Sequence, residues 1–292
     1  MEKRSAFGEC HPVVNLAYFG LVIGFSMFLT HPVCLLVSLL GAVLYYVKLK
    51  GRKAAGFLAR YALPIMLTAA LINPLFNHRG ATILCYLPTG NPLTLESIAY
   101  GLAAAVMLAC VLVWFGCFSE IMTSDKLVYL FGKIAPSLSL VLSMTLRFVP
   151  RFVNRLSLIR KARSVGGANK SALKNALACF SAVTAWALEG SIETADSMKS
   201  RGYGLRGRTA FSLFAFTERD KGMLLWLGLC AVFLLSGAFS GNLHWQYFPS
   251  MGGKLAEPLT IGLEITYLGV CATPFAMDIR EDKQWSSLRS KI

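Results

Sequence analysis

The sequence is poor in charged residues, and this shortage limits its fold. Asp, Glu, Lys and Arg make up 15% of the 292 residues, whereas hydrophobic residues make up 55%. In soluble globular domains charged residues account for about a quarter of the chain. The composition therefore argues against a soluble fold. The low charged fraction also argues against a disordered chain or a module built of basic runs for nucleic-acid binding.

Acidic residues are scarcer still. The chain has 15 Asp and Glu against 29 Lys and Arg, which gives a formal net charge of +14. A membrane protein whose cytoplasmic segments are rich in Lys and Arg fits both the apolar composition and the excess of positive charge. We therefore expect the lipid bilayer to be one partner of this chain and nucleic acid not to be.

Motifs for catalysis and metal binding are also missing. The eight cysteines form no C-x-x-C pair and no Cys/His cluster with zinc-site spacing, and most lie in apolar stretches, which favours plain packing. The phosphate-binding pattern G-x-x-x-x-G-K-[ST] does not occur. We therefore expect no catalytic residues, no metal site, no cofactor bound by this chain and no ATP hydrolysis by the chain itself.

Long uncharged stretches predict an all-α polytopic membrane protein with about six transmembrane helices, because a bilayer core of roughly 30 Å needs about 20 apolar residues in a helix. The run from Pro12 to Val47 is too long for one span, and Thr30-His31-Pro32 predicts a turn inside it. The stretch 33–47 is short, so a re-entrant hairpin is an alternative there. The predicted spans are 13–30, 33–47, 57–75, 97–118, 223–240 and 259–277.

Basic residues fall almost entirely on one predicted side of the membrane. Of the 29 Lys and Arg, 26 lie in the N-terminus, the second loop, the insert 119–222 or the C-terminal tail. Cytoplasmic loops retain excess Lys and Arg, so both termini and the insert are predicted to be cytoplasmic. The predicted organisation is an N-terminal region of four spans (1–118), a cytoplasmic insert (119–222), and a C-terminal region of two spans with a tail (223–292).

The insert between spans four and five is predicted to be helical, because its apolar residues recur with helical spacing. Three helices are expected, near 124–131, 137–165 and 171–202. Gly132 and Pro136 are expected to separate the first two, and glycines after residue 165 and after residue 201 are expected to end the longer ones.

Both long helices end on the same pattern, Lys161-Ala162-Arg163-Ser164 and Lys199-Ser200-Arg201-Gly202, with the two arginines 38 residues apart. A cation at a helix C-terminus is favoured by the helix dipole by about 0.3–1 kcal/mol, so capping is one explanation. Small residues on both sides of each arginine favour another, in which the arginine enters an acidic groove on a partner and forks onto a carboxylate. Spacing alone leaves both explanations open.

The chain resembles the transmembrane T component of energy-coupling factor (ECF) transporters, which are ABC-type importers of vitamins and metal ions. The resemblance covers nearly the whole chain. Its most specific parts are Leu146-Arg147-Phe148-Val149-Pro150 and the run Ala195-Asp196-Ser197-Met198-Lys199-Ser200-Arg201-Gly202-Tyr203-Gly204. It implies a bacterial or archaeal cell membrane as the location.

The resemblance also implies partners. The family's two coupling-helix tips have the form Ala-Arg-Gly or a near variant, and each docks into one of two ABC-type ATPase subunits, which bind ATP and Mg. The corresponding tips here are Ala162-Arg163-Ser164 and Ser200-Arg201-Gly202, which depart from that form at Ser164 and Ser200. In this family the chain is a non-catalytic scaffold that couples ATP hydrolysis to uptake by a separate substrate-binding S component.

Apolar faces on the two long insert helices are expected to provide the moving contact with the S component, because unrelieved apolar surface demands a partner or the membrane interface. Small residues on the third insert helix would permit close crossing of another helix. The residues expected in this contact are Leu138, Val141, Leu142, Ala178, Ala182 and Ala185.

Other functions remain open from the sequence. Glu264 lies inside the last predicted span and could carry a coupling proton in a stand-alone secondary transporter, although a structural or interfacial role is favoured. A membrane-embedded enzyme is disfavoured, because no carboxylates, metal ligands or nucleophile–base pairs cluster. Three histidines in predicted outer loops are more simply turn residues than a metal site, and Trp245, Tyr247 and Phe248 are expected to form an aromatic belt. The transported substrate is not readable from the sequence.

Overall fold

A computed structural model describes residues 5–86, 92–165, 172–203, 205, 214–253 and 257–289. In chain order, the first half contains helices α1 (Pro12–Phe28), α2 (Pro32–Lys50), α3 (Arg52–Phe57) and α4 (Leu63–Phe76), strands β1 (Ile83–Tyr86) and β2 (Pro92–Thr94), and helix α5 (Leu95–Ile121). A π-helical turn, Leu58–Ala62, joins α3 to α4. The second half contains α6 (Ser124–Ile134), α7 (Pro136–Val165), α8 (Ala172–Ser200), α9 (Glu218–Phe239) and α10 (Pro258–Arg289).

The all-α polytopic class is confirmed. Within the described residues five helices are long and apolar enough to cross a membrane: α2, the continuous helix from α3 through α4, α5, α9 and α10. The remaining predicted span, 13–30, corresponds to α1, which has 17 residues and lies at the lower limit of spanning length. The turn between α1 and α2 falls at residues 29–31, as Pro32 predicts. The re-entrant alternative for 33–47 is wrong, because α2 is one unbroken 19-residue helix.

The chain divides into two compact units, residues 1–123 with 214–292 (unit 1) and residues 124–213 (unit 2). In unit 1, α5 packs against α1, α2 and α4, and α10 packs against α2 and α9. The centre of unit 1 carries a small polar network. Trp114 Nε1 donates to Ser38 Oγ (3.0 Å), which lies 2.8 Å from Ser26 Oγ, and Tyr267 OH lies 3.1 Å from Ser26 Oγ. These bonds join α1, α2, α5 and α10.

Side-chain contacts show that the helices of unit 1 run alternately up and down. At one end, the Lys48 end, Lys48 pairs with Asp282 (3.3 Å) and Lys50 pairs with Glu120 (2.5 Å). The N-terminal segment lies at this end, because the backbone N–H of Phe7 donates to Asp278 (3.1 Å). The chain therefore has its first and last described segments at the same end of unit 1, as the predicted topology requires.

The opposite end of unit 1, the His31 end, carries the connections α1–α2, α4–α5 and α9–α10. Tyr247 OH donates to the carbonyl of Thr30 (2.9 Å), and His31 Nδ1 lies 3.1 Å from Glu264 Oε1. Tyr247 is only 8% exposed, so its assignment to a lipid-facing aromatic belt is wrong. Its hydroxyl finds an acceptor inside the protein, which is the usual arrangement for a buried tyrosine.

Several details differ from the sequence-based prediction. Strands β1 and β2 form an unforeseen antiparallel hairpin before α5, fixed by Thr82 Oγ1, which donates to Glu96 (2.7 Å). Gly132 lies inside α6 and separates nothing, since α6 continues to Ile134 and a single residue precedes α7 at Pro136. Helix α10 continues to Arg289, well beyond the predicted span end at 277, because the polar tail keeps good helix formers.

Unit 2 consists of α6, α7 and α8. Helix α6 folds back on α7, where Ser139 Oγ donates to the Val128 carbonyl (2.9 Å). Helices α7 and α8 form an antiparallel hairpin, because the end of α7 contacts the start of α8 and the middle of α7 contacts the middle of α8: the Phe152 and Trp186 rings lie 5.9 Å apart, edge to face.

Candidate functional site

The first predicted tip, Ala162-Arg163-Ser164, lies in the last turn of α7. Ala162 and Ser164 are exposed and Arg163 is half-buried. Arg163 Nη2 donates to Asn175 Oδ1 of α8 at 3.4 Å. The first tip is therefore hydrogen-bonded to the neighbouring helix, a contact that was not predicted from the sequence. The expected stop at Gly166 lies outside the described residues.

The second tip, Ser200-Arg201-Gly202, closes α8 with a Schellman motif. The N–H of Tyr203 donates to the Met198 carbonyl (3.1 Å), and the N–H of Gly202 donates to the Lys199 carbonyl (3.0 Å). Gly202 has φ +75°, in the left-handed region that glycine adopts without steric cost. Arg201 is the cap residue, exposed, where the chain turns off the helix axis.

The antiparallel hairpin places the two tips far apart. Arg163 touches Asn175 near the start of α8, whereas Arg201 follows its last residue. At 1.5 Å per residue, the 26 residues between Asn175 and Arg201 correspond to about 39 Å. Two arginines at this separation can engage two separate protein surfaces, whereas a single groove for one arginine side chain cannot hold both.

The apolar faces predicted to contact a membrane partner are open. Leu138 is 58% and Val141 59% exposed, Leu142 is half-buried, Ala182 and Ala185 are exposed, and Ala178 is half-buried. The hairpin contact instead uses other side chains, since Arg155 lies over the Trp186 ring at 5.4 Å and Cys179 is buried. The small residues Ala182 and Ala185 therefore stay exposed and are not buried by the contact of α7 with α8.

A groove of about 690 Å³ runs between α7 and α8. Its walls are almost wholly apolar, and several of its side chains are largely exposed: Val153 (61%), Leu173 (72%), Leu177 (61%) and Phe180 (70%). Among the described residues of unit 2, only Lys126 and Cys179 are buried. A unit with so little core of its own and so much exposed apolar surface is typical of an interaction module.

The contact of Asn175 with Arg163 was not predicted from the sequence. The register of the hairpin would have predicted this contact. If α7 and α8 are antiparallel and Phe152 faces Trp186, then Arg163 must lie near Asn175. The register itself is not readable from the sequence, because α7 is apolar around most of its first half and gives no sharp face.

Glu264 pairs with His31, whose Nδ1 lies 3.1 Å from Glu264 Oε1. His31 is fully buried, and its ring stands edge to face with Trp245 at 5.6 Å between centroids. The pair links the residue that precedes α2 to the second turn of α10, which accords with the structural role favoured for Glu264. Among the described residues no group of three His, Cys, Asp or Glu could hold a metal ion.

Comparison with known families gives a match over most of the chain. The family model described as CbiQ, cobalt transport protein, matches residues 4–211, well over half of the chain. The match includes both arginine tips and ends before α9. No curated protein sequence matches the chain.

Proposed function

Because the chain belongs to the CbiQ family of cobalt transport proteins, the family of T components, we propose that it is the transmembrane scaffold of an ECF-type ABC importer. In this proposal two partner ATPases bind and hydrolyse ATP with Mg, and the chain itself is non-catalytic. A separate S component in the same membrane binds the substrate, a metal ion such as cobalt or a vitamin. The scaffold transmits the motion of the ATPases to the S component.

The observation that carries the proposal is the placement of Arg163 and Arg201. They end the two long helices of one antiparallel hairpin and lie about 39 Å apart along α8. Each guanidinium stands beside a small residue, Ala162 or Ser200, so a partner carboxylate can approach it and accept two parallel hydrogen bonds. We propose that each arginine docks in one ATPase.

The open apolar surface of unit 2 supports the coupling step. Leu138 and Val141 on α7 and Ala182 and Ala185 on α8 are exposed in the isolated chain. Burial of apolar surface contributes about 25 cal/mol per Å², so these faces favour contact with an apolar partner. When ATP binding draws the two ATPases together, the tips move with them, the angle between α7 and α8 changes, and the faces that contact the S component slide.

Charge reversal at Arg201 tests the docking. Truncating or reversing one partner of a buried charge pair costs about 2–5 kcal/mol, which is a loss of at least about 30-fold in affinity. We therefore expect R201E, and likewise R163E, to lose ATPase subunits when the tagged complex is purified in mild detergent. R201K keeps the charge but not the planar fork and should retain an intermediate amount.

The matched control is K199E, which makes the same change of charge two residues earlier on the exposed end of the same helix. If general electrostatics held the ATPases, K199E and R201E would release them equally. Full ATPase retention and transport by R201E would overturn the proposal. So would purification of a solitary chain that moves protons with substrate, the behaviour of a stand-alone transporter using Glu264.

A further inference from the structure

The helix that runs from α3 through α4 carries an arginine inside its apolar length. In the most apolar 18-residue stretch of Arg52–Phe76 only 6% of the residues are buried, so most of this helix faces outward. Arg60 is exposed and lies eight residues after Arg52, about 12 Å along the helix. An ionised side chain at that depth is costly in hydrocarbon unless it reaches a counter-charge.

The helix backbone is also irregular at Arg60. Pro64 has no N–H to donate to the Arg60 carbonyl four residues earlier, and the chain widens into the π-helical turn Leu58–Ala62. There the N–H of Leu63 donates to the Leu58 carbonyl, a bond of i to i+5 type. Such single π-turns inside α-helices occur frequently at functional sites.

The described part of the protein offers no counter-charge to this group. No described carboxylate lies within 4.0 Å of Arg52, Lys53 or Arg60. Two nearby acids at the Lys48 end are already engaged, since Glu120 pairs with Lys50 and Asp282 pairs with Lys48. Three exposed cations on one outward-facing helix, with no described carboxylate beside them, are therefore placed to bind an anion from outside the chain.

We propose that Arg52, Lys53 and Arg60 bind the phosphate of an anionic phospholipid at the Lys48 end of unit 1. The positive-inside bias assigns this end to the cytoplasm, where the leaflet is anionic. Arg52 and Lys53 lie at headgroup level, and the stem of Arg60 lies along the apolar surface while its guanidinium reaches up to the same phosphate. Tyr61, which is 53% exposed and packs on Phe57 at 5.4 Å, supplies the aromatic side chain typical of the membrane interface.

Native mass spectrometry of the full chain, released from detergent with added phosphatidylglycerol or phosphatidylcholine, tests this site. Each cation near a membrane surface strengthens binding to anionic lipid about fivefold. We expect the unaltered chain to retain phosphatidylglycerol over phosphatidylcholine, R60Q to lose about fivefold of that preference, and R52Q/K53Q to lose more. R60L should behave as R60Q does and, because it adds an apolar side chain to an apolar surface, it tests the site even if R60Q folds poorly.

The matched control is K283Q, which removes an exposed lysine at the same end, on α10 and outside the proposed site, and should lower the preference less than R60Q does. Equal retention of both lipids by the unaltered chain overturns the proposal whatever the variants do. Stabilisation by millimolar inorganic phosphate without lipid also overturns it, because the site then takes a free anion. Loss of a co-purifying membrane protein from R60Q in phosphatidylcholine alone assigns Arg60 to a protein carboxylate and likewise overturns it.

Discussion

Replacement of Gly202 by alanine provides a sharp test of how the tip of α8 is built. Gly202 sits at φ +75°, where its N–H donates to the Lys199 carbonyl and the next N–H, of Tyr203, donates to the Met198 carbonyl. A Cβ at this position would lie 3.1 Å from a methyl of Leu205, which is a flexible side chain. The expected penalty of G202A therefore comes from the backbone and not from packing.

The size of the effect follows from the left-handed conformation. An L-residue with a Cβ pays about 1–2 kcal/mol there, and part of this is offset because alanine has less entropy to lose than glycine on folding. A net cost of about 1 kcal/mol should open the last turn of α8 about fivefold more often. Asparagine tolerates the left-handed region, so G202N should cost less than G202A.

Amide hydrogen exchange of the full chain in detergent measures this opening directly. The amides of Arg201, Gly202 and Tyr203 all donate within the cap, so peptides that cover them should exchange about fivefold faster in G202A. G190A is the matched control: Gly190 lies in the middle of α8, and a Cβ there meets nothing within 4 Å. It should slow exchange around it, because alanine exceeds glycine in helix propensity by about 1 kcal/mol.

The two substitutions are expected to change amide exchange in opposite directions. If G202A leaves the exchange of the last turn unchanged, the Schellman cap does not hold the helix end. If G190A accelerates exchange as G202A does, the effect is a general response of α8 to substitution. In either case Arg201 would not owe its position to the left-handed glycine.

Two further predictions concern unit 1. S38A removes the acceptor of the buried Trp114 Nε1 and should lower the free energy of unfolding in detergent by about 1 kcal/mol, because hydrogen bonds between helices inside membrane proteins contribute about 0.6 kcal/mol on average and at most about 1.7 kcal/mol; no loss would show that another acceptor replaces it. G237A should cost about 1–3 kcal/mol by overpacking, because a Cβ there would overlap the Leu263 side chain, whereas G228A has open space and should be neutral or stabilising by the same measurement.

The membrane architecture was predictable because its signals are local. The Pro12–Val47 run had to turn, since it is longer than the bilayer is thick, and Pro32 marked the place. The ends of α7 and α8 were predictable to within a few residues, because the residues at and just after a helix end determine where the helix stops.

The partners of individual side chains were not predictable. The hairpin β1–β2 is short, and the pairing of Arg163 with Asn175 depends on the register of two helices. The inward position of Tyr247 depends on Thr30, which is more than 200 residues away in the chain. No property of the segment around Tyr247 distinguishes a ring that faces lipid from one that faces the protein.

The sequence by itself determined that the chain is an all-helical membrane protein with a basic helical insert and two matched arginine ends. These properties follow from the hydropathy and the charge of stretches of about 20 residues, so each stretch can be assigned without knowing its contacts. Only the tertiary structure decided that the arginine ends lie at opposite ends of one hairpin, that the described part of unit 2 has almost no core, and that Arg60 faces outward with no described carboxylate paired to it. A helix that is apolar all round has no periodic signal to say which face is buried, so these placements exist only where helices meet.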